Sequence, residues 1–268
     1  MSRFTIDGCT ALITGASAGI GRELARQLVS RATAIVLVAR RRKRLEELRD
    51  ELNRTNPKLM VHIRETDLSN ESAVADLFYS LEVEEIHVDF LINNAGLGDH
   101  GQFATSDMDR DRQMLAVNIM ALTSLTRLFL PAMISRKRGA ILNVSSTAGF
   151  LPLGGFSLYA ATKAFVTSFS EAIRSELRET GVTVTALCPG PVDTEFAEVA
   201  RRPSAKRYNP APEFMQVSVE RVVQVALAAV EHDKPVAIPG FVMKLAMLLV
   251  RLTPAPILRL ISRASAKR

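Results

Sequence analysis

Short apolar runs alternate with longer amphipathic segments along most of this chain. The segments between the apolar runs carry apolar residues at helical spacing. Seven apolar runs are rich in β-branched residues and predict strands, at about 11–14, 34–38, 61–65, 90–93, 140–145, 183–188 and 236–238. Because strands that alternate with helices form parallel sheets covered on both faces, the pattern predicts an α/β fold.

The predicted order of elements gives a Rossmann-like, doubly wound parallel sheet of about seven strands with helices on both faces. Connections between parallel strands are right-handed, and ligands bind such sheets at the carboxyl ends of the strands. A glycine loop, two asparagines, two serines and a Pro-Gly pair each follow a predicted strand. We therefore expect these groups to converge on one edge of the sheet.

Length and composition agree with one domain, because 268 residues that are 47% hydrophobic suit a single large core. Cys9 and Cys188 each lie in an apolar run, which predicts buried thiols in a reducing compartment. The four histidines are scattered without ligand spacing, so no metal site is predicted. Residues 1–8 contain no apolar stretch, which favours a cytoplasmic location without a secretory signal.

The net charge of +6 is unevenly distributed along the chain. Seven cations and no acid follow Asp233, so removing these seven from the total leaves residues 1–233 at −1. The basic character therefore belongs to the C-terminal tail. This distribution disfavours nucleic-acid binding by the body of the protein.

The first predicted strand runs directly into the glycine-rich segment TGASAGIG at positions 14–21, and a helical pattern follows. A strand, a glycine turn and a helix in this order can cradle a phosphate, since glycines admit a close approach and the helix N-terminus supplies donors. The spacing of Gly15, Gly19 and Gly21 differs from the usual dinucleotide fingerprint. A glycine turn that binds no ligand is the alternative interpretation.

Tyr159 and Lys163 are four residues apart, and Ser146 lies thirteen positions before the tyrosine. On a helix Tyr159 and Lys163 share a face, so the ammonium is expected to lower the pKa of the phenol. A tyrosine of that kind can exchange a proton with a substrate oxygen near neutral pH. An ordinary amphipathic helix is the alternative for this spacing taken alone.

Taken together, these motifs resemble the short-chain dehydrogenase/reductase family, whose glycine segment has the same T-G-x-x-x-G-I-G spacing. The resemblance covers residues 8 to about 195 well, and the remainder poorly. It rests on seven matches in family order: TGASAGIG, Asp67-Leu68, Asn93-Asn94-Ala95-Gly96, Asn118, Ser146, Tyr159 with Lys163, and Pro189-Gly190 through Thr194.

The resemblance implies a role for each catalytic residue. Tyr159 donates a proton to the substrate oxygen, and Ser146, which stands at the family interval where Ser145 does not, binds the same oxygen. Lys163 favours the tyrosinate, binds the nicotinamide ribose and relays protons, and Asn118 supports Lys163 through a bound water. The cofactor-binding residues implied are Gly15, Ser17, Gly19, Ile20, Gly21, Asp67, Leu68, Asn94, Ala95, Gly96, Tyr159, Lys163, Pro189, Gly190, Val192 and Thr194.

The end of the second predicted strand indicates which cofactor is used. No acid stands there to bind the ribose hydroxyls of NAD, whereas Arg40 and Arg41 can bind a 2′-phosphate through charge-assisted hydrogen bonds. NADP(H) is therefore predicted over NAD(H). Ala18 departs from the family pattern, because many NADP-dependent relatives have a basic residue there. A solvated helix start at 40–44 is the alternative.

Substrate identity depends on a lid expected at about 195–217, which carries both basic and apolar side chains. Pro203, Pro210 and Pro212 disfavour regular structure there. Such a lid suits an apolar ketone, either a 3-oxoacyl chain on a carrier or a steroid-like compound. An ordinary solvated loop is the alternative.

Residues 240–268 form a basic amphipathic extension to the catalytic domain predicted over 1–239. Neither apolar stretch of the extension reaches the length of about 20 residues that spans a bilayer. It is expected to cover the substrate pocket or to form the interface of a homodimer or homotetramer, with peripheral membrane contact as the alternative. Apolar residues recur at helical spacing at Phe241, Leu245, Leu248, Leu249 and Leu252, and then at Ile257, Leu258, Leu260 and Ile261.

The sequence thus predicts an NADPH-dependent carbonyl reductase of the short-chain type that acts on a small hydrophobic carbonyl or alcohol substrate. A catalytically silent dinucleotide sensor or scaffold is the alternative, since the fold alone does not establish activity. Such a protein has no need for the complete set of Asn118, Ser146, Tyr159 and Lys163, and the presence of that set favours catalysis.

Overall fold

A computed structural model of the protein describes residues 4–202, 215–254 and 257. In this part of the chain seven strands form one parallel sheet in the order β3-β2-β1-β4-β5-β6-β7. Every predicted strand is present, and each of its ends lies within one residue of the predicted position. The strands are β1 Thr10–Thr14, β2 Ala34–Ala39, β3 Met60–Glu65, β4 Phe90–Asn93, β5 Gly139–Val144, β6 Val182–Leu187 and β7 Val236–Ala237.

Helices cover both faces of the sheet, as predicted. The helices α1, α2 and α8 pack on one face, and α3, α5 and α6 pack on the other. A π-helical segment, Ala116–Ala121, joins α4 to α5. The helices are α1 Gly19–Leu28, α2 Arg42–Thr55, α3 Glu71–Val83, α4 Met108–Leu115, α5 Leu122–Ser135, α6 Ser157–Glu176, α7 Glu195–Ala200, α8 Val219–Glu231 and α9 Phe241–Leu252.

The sheet is largely apolar on both faces because its central strands are buried beneath helices. In β1, Ala11 and Ile13 pack with the α1 side of the core, whereas Leu12 between them packs with the opposite side. The residues of β2 alternate in the same way. A strand with no polar face lies in the middle of a doubly wound sheet.

The continuous helix Met108–Ser135 is long and apolar enough to cross a membrane by length and composition alone. Its inner side chains are instead buried against the sheet, where Leu125, Phe129 and Met133 belong to the core on the α3 side. We interpret it as a core helix of the domain.

The strand order reverses between β1 and β4, since the chain builds outward from β1 on one side and from β4 on the other. In sheets of this kind the cleft lies at the carboxyl ends of the two strands that flank the reversal. The cleft here is bounded further by α7 and by α9, whose residues line it from outside the sheet.

The tail helix predicted from Phe241 to Leu252 is present as α9. Leu258, Leu260 and Ile261 of the second predicted stretch lie outside the described residues, as do Pro203, Pro210 and Pro212 of the lid. The beginning of the lid is more regular than predicted, because the Thr194 hydroxyl accepts a hydrogen bond from the Phe196 amide and caps α7.

Candidate active site

The glycine loop after β1 and the loop after β4 are held in direct contact. The buried Thr14 hydroxyl accepts hydrogen bonds from the backbone amides of Asn94 at 2.9 Å and Ala95 at 3.0 Å. In return, the Asn94 side-chain amide donates to the Thr14 carbonyl at 2.8 Å. A Cβ on Gly15 would lie 2.9 Å from the Ala95 Cα, and one on Gly21 would lie 2.5 Å from the Asn94 Nδ2. The loops can approach this closely only because both positions are glycine.

The loop leads into the N-terminus of α1, which has the features of a phosphate cradle. Gly19 begins the helix with a φ of 52°, and the preceding Ala18 provides no side-chain cap. Gly19 and Ile20 line the cleft, where an anion could accept hydrogen bonds from the first backbone amides of the helix. These residues fit a dinucleotide pyrophosphate.

The cleft has a volume of about 850 Å³, which is within the usual range for a ligand site. All of the predicted site residues line it except Gly21 and Asn118, which lie directly behind its wall. Those lining it are Gly15, Ser17, Gly19, Ile20, Arg40, Arg41, Asp67, Leu68, Asn94, Ala95, Gly96, Ser146, Tyr159, Lys163, Pro189, Gly190, Val192 and Thr194.

Tyr159 lies in the first turn of α6 and is almost fully buried. Burial raises the pKa of its phenol to about 12, although a hydrogen bond with Ser146 opposes that rise. Ser146 is held in place because its Oγ accepts a hydrogen bond from the Ala148 amide at 3.1 Å. The two hydroxyls predicted to bind one substrate oxygen are therefore adjacent.

Lys163 is buried one turn further along α6, and its Nζ donates to the Val144 carbonyl at the end of β5, at 2.8 Å. Desolvation lowers the pKa of Lys163 to about 8. The predicted lowering of the Tyr159 pKa by this ammonium is wrong for this structure. The Nζ lies 5.7 Å from the centre of the phenol ring, and the cost of burying the phenolate outweighs its attraction.

Ser145 has a different environment from Ser146, as expected for successive residues leaving a strand. It is buried, and its Oγ donates to the Lys163 carbonyl at 2.7 Å and pairs with the Thr167 hydroxyl at 2.7 Å. Ser145 therefore ties β5 to α6, and its hydroxyl is engaged in that contact.

Asn118 lies in the π-helical segment, where the widened turn points its side chain toward the loop after β4. Its amide Nδ2 donates to the Leu97 carbonyl at 2.9 Å and to Thr162 at 3.0 Å, and its Oδ1 accepts from the Leu97 amide at 2.8 Å. A Cβ on Gly96 would lie 3.4 Å from the Lys163 Nζ and 3.5 Å from the Asn118 Oδ1. Lys163 and Asn118 thus border the same small space beside Gly96.

The end of β2 places Arg40 and Arg41 at the far end of the cleft from Tyr159. The Arg41 guanidinium donates through Nε and Nη2 to the Ser17 hydroxyl, at 3.2 Å and 3.0 Å. It is thereby fixed beside the glycine loop. Its remaining Nη1 donates to Glu195 of α7 at 3.2 Å.

The part of the cleft beyond Tyr159 is walled by apolar side chains. Some belong to the predicted lid and tail, whereas Leu151, Leu153 and Phe156 were not assigned to the site from the sequence. The Phe196 ring of α7 lies 5.4 Å from the Tyr159 ring, and Phe156 lies 6.1 Å from it on another side. His100 packs on Phe156 at 4.6 Å. The other apolar contributors are Leu151, Leu153, Val199, Val242, Met243, Ala246 and Met247.

An ion pair fixes the far end of α7 to the loop after β4. Arg202 donates from its Nε to the Asp99 carboxylate at 2.8 Å, and both side chains are nearly buried. Arg110 donates to the Gly98 carbonyl at 3.1 Å. The predicted lid is thus anchored at Arg202. Residues 203–214 of the lid lie outside the residues that the structure describes.

Comparison with known proteins gives consistent matches across this region. The profile of a family described as short chain dehydrogenase matches residues 9–205. The NADP-dependent 3-hydroxy acid dehydrogenase of Escherichia coli (strain K12) is 38% identical over 190 residues, which cover 70% of this chain and 75% of that protein.

Two solved structures illustrate the likeness in fold. A short-chain dehydrogenase from Sphingobium yanoikuyae in complex with NADPH has a TM-score of 0.77 and 32% identity, over 87% of this chain and 88% of the other. A bulky-bulky ketone specific alcohol dehydrogenase from Comamonas testosteroni has a TM-score of 0.74 and 31% identity, over 86% of each chain.

Burial of Lys163 predicts a measurable pH dependence of stability. Its folded pKa of about 8 lies below the ordinary value of 10.5, so the unfolded chain binds more protons between these values. The free energy of unfolding should therefore rise with pH across this window, by about 3 kcal/mol from this group. Urea unfolding from pH 7 to 10.5 should show the rise in the wild type, with the Lys163→Met variant lacking it. Lys58→Met, at an exposed position, is the matched control, and equal pH profiles for the wild type and Lys163→Met would contradict the assignment.

Proposed function

The chain belongs to the short-chain dehydrogenase family, and from this premise we propose that it reduces an apolar ketone to the alcohol with NADPH. The observation that carries the proposal is the buried Tyr159 phenol, hydrogen-bonded to Ser146 at the junction of a dinucleotide cleft and an apolar chamber. Loss of NADPH absorbance against a panel of bulky ketones, 3-oxoacyl thioesters, steroids, quinones and simple ketones tests it. Absence of turnover with every compound would favour the silent-sensor alternative.

In the proposed reaction the substrate oxygen accepts hydrogen bonds from the hydroxyls of Tyr159 and Ser146. NADPH, once bound in the cleft, would supply hydride to the carbonyl carbon. Negative charge then develops on the substrate oxygen, which takes the proton of Tyr159. The raised pKa of Tyr159, about 12, keeps the phenol protonated at neutral pH, as the reductive direction requires.

Lys163 and Asn118 support the return of a proton to Tyr159. With a pKa of about 8, Lys163 is mostly charged at neutral pH and can also release a proton. Its Nζ and the Asn118 Oδ1 border the space beside Gly96, where one small polar molecule could bridge them. The backbone pairing of Asn118 with Leu97 holds the Oδ1 in position.

NADP(H) is the proposed cofactor because a guanidinium, a hydroxyl and the glycine loop meet where a 2′-phosphate would lie. Arg41 is oriented by Ser17, and Arg40 lines the same end of the cleft. The Escherichia coli relative is named as NADP-dependent, and the Sphingobium structure contains NADPH. Both names support the same preference.

An apolar substrate is proposed because Phe156, Phe196, Met243 and Met247 wall the chamber beyond Tyr159. The Comamonas protein of similar fold is named for bulky ketones, which agrees with a chamber of this kind. The Escherichia coli relative is named for 3-hydroxy acids, whose carboxylate calls for a cation near the substrate. Arg201 at the rim of the chamber makes 3-hydroxy acids the second substrate class to test.

The helix α9 supports pocket cover as the role of residues 240–252. Its inner side chains Met243 and Met247 are buried and line the chamber, whereas Leu245 and Leu248 point outward and are about half exposed. A homo-oligomeric interface and contact with an anionic membrane both stay predictions for this outer face. Sedimentation alone and with anionic liposomes distinguishes them.

Tyr159→Phe is expected to lower kcat about 10²- to 10⁴-fold, because the phenyl ring has no proton to give. Affinity for NADPH should change little, since the ring and its packing remain. Ketone reduction and NADPH titration measure the two effects. Tyr79→Phe, at an exposed position, is the control, and a Tyr159→Phe enzyme of near-normal rate would remove the acid role.

Arg41→Gln should raise KM for NADPH about tenfold or more and leave KM for NADH nearly unchanged. The variant removes the positive charge that pairs with the 2′-phosphate, and only NADPH carries that phosphate. Arg42→Gln is the matched control, since Arg42 pairs with Glu46 on the surface of α2. Equal effects of Arg41→Gln on both cofactors would defeat the cofactor assignment.

Met243→Ala should lower kcat/KM for a bulky ketone several-fold, because a buried apolar wall of the chamber is removed. Leu248→Ala, on the outer face of the same helix, should leave kcat/KM unchanged. Steady-state kinetics on a large and a small ketone measure both. If the two variants behave alike, α9 does not form the substrate wall.

A further inference from the structure

A carboxylate occupies the arginine site at the adenosine end of the cleft. The Arg44 Nη1 donates to both oxygens of Glu195, at 2.7 Å and 2.8 Å, and the Arg41 Nη1 donates to one of them at 3.2 Å. Glu195 belongs to the lid, and both arginines belong to the segment after β2. Residues more than 150 positions apart therefore share one ionic cluster.

The cluster uses the donors that a 2′-phosphate would need. Arg41 directs Nε and Nη2 to Ser17 and Nη1 to Glu195, so its guanidinium is engaged on both sides. Ser17, Arg41 and Glu195 all line the cleft. Carboxylate and phosphate oxygens accept the same paired donors from arginine, and two anions that share them repel each other.

We infer that Glu195 is a latch that senses the cofactor: its carboxylate holds Arg41 and Arg44 until the 2′-phosphate of NADP(H) displaces it. The inference rests on the proposed use of NADP(H). Both arginines and Glu195 are roughly half exposed, so their ion pairs hold weakly and are screened by salt. A phosphate dianion that is also bound by the rest of the nucleotide can displace them.

Displacement has a consequence for the lid, because Glu195 is the first residue of α7 and Phe196 is the second. The Phe196 ring contacts the Tyr159 ring across the mouth of the chamber. The chain just beyond the C-terminal end of α7 is fixed by the buried pair of Asp99 and Arg202. Release of Glu195 therefore frees α7 at one end only, next to the substrate, when the cofactor with a 2′-phosphate binds.

Calorimetric titration with 2′,5′-ADP and 5′-AMP tests the latch without turnover. Glu195→Gln, which removes the competing charge, should bind 2′,5′-ADP about three- to tenfold more tightly and 5′-AMP as the wild type does. The increase should shrink at high salt. Glu198→Gln, an exposed acid on the same helix, is the matched control and should behave as the wild type.

Hydrogen exchange of the α7 backbone provides a second measurement. In the wild type, the exchange rate of Glu195–Ala200 should rise when 2′,5′-ADP binds and should not rise when 5′-AMP binds. In Glu195→Gln, the exchange rate of this helix should already be raised before either nucleotide is added. Stronger protection on binding 2′,5′-ADP would overturn the latch.

The titrations separate two kinds of failure. If Glu195→Gln weakens the binding of both nucleotides, the carboxylate closes over the cofactor and the latch is wrong; unchanged affinity for 2′,5′-ADP overturns it as well. If the wild type binds 2′,5′-ADP no more tightly than 5′-AMP, the proposed NADP(H) preference fails, and the latch fails with it.

Discussion

The whole site depends on the close contact of the loop after β1 with the loop after β4. Thr14 makes this contact specific, because its hydroxyl accepts two backbone amides of the second loop and donates to the Ile92 carbonyl at 3.2 Å. The absent side chains of Gly15 and Gly21 leave the room for it. Since both loops leave the sheet at the point where strand order reverses, the contact fixes the nucleotide cradle relative to the loop that pairs with Asn118.

The reactive groups obtain their properties from burial between β5 and α6. The Lys163 Nζ donates to the backbone of β5, and Ser145 at the end of β5 donates to the Lys163 carbonyl. These two bonds run in opposite directions between the same pair of elements and hold the helix in register with the strand. The cost of desolvation lowers the pKa of Lys163 to about 8 and raises that of Tyr159 to about 12, so near neutral pH Lys163 can release a proton and Tyr159 keeps its own.

The sequence was sufficient for the sheet and for the motif residues because both have local signatures. Every central strand is a short and mostly apolar run, and TGASAGIG and the Tyr159 to Lys163 spacing each span only a few consecutive residues. The pKa of Tyr159 was predicted in the wrong direction, because helical spacing gives the distance to Lys163 and says nothing about desolvation. Glu195, His100 and the pairing of Asp99 with Arg202 went unnoticed, since each acquires its meaning from a partner in a distant part of the chain. No local pattern encodes such contacts.

The position of α9 has a consequence for how this protein can diverge from its relatives. The helix contributes Met243 and Met247 to the chamber, yet it adds no strand to the sheet and lies outside both helical layers. Methionine side chains are flexible and adapt to neighbours of different shape. Substitutions on this helix can therefore alter what fits beside Tyr159 without changing the sheet, so that new substrate ranges are open to evolution while the catalytic framework stays intact.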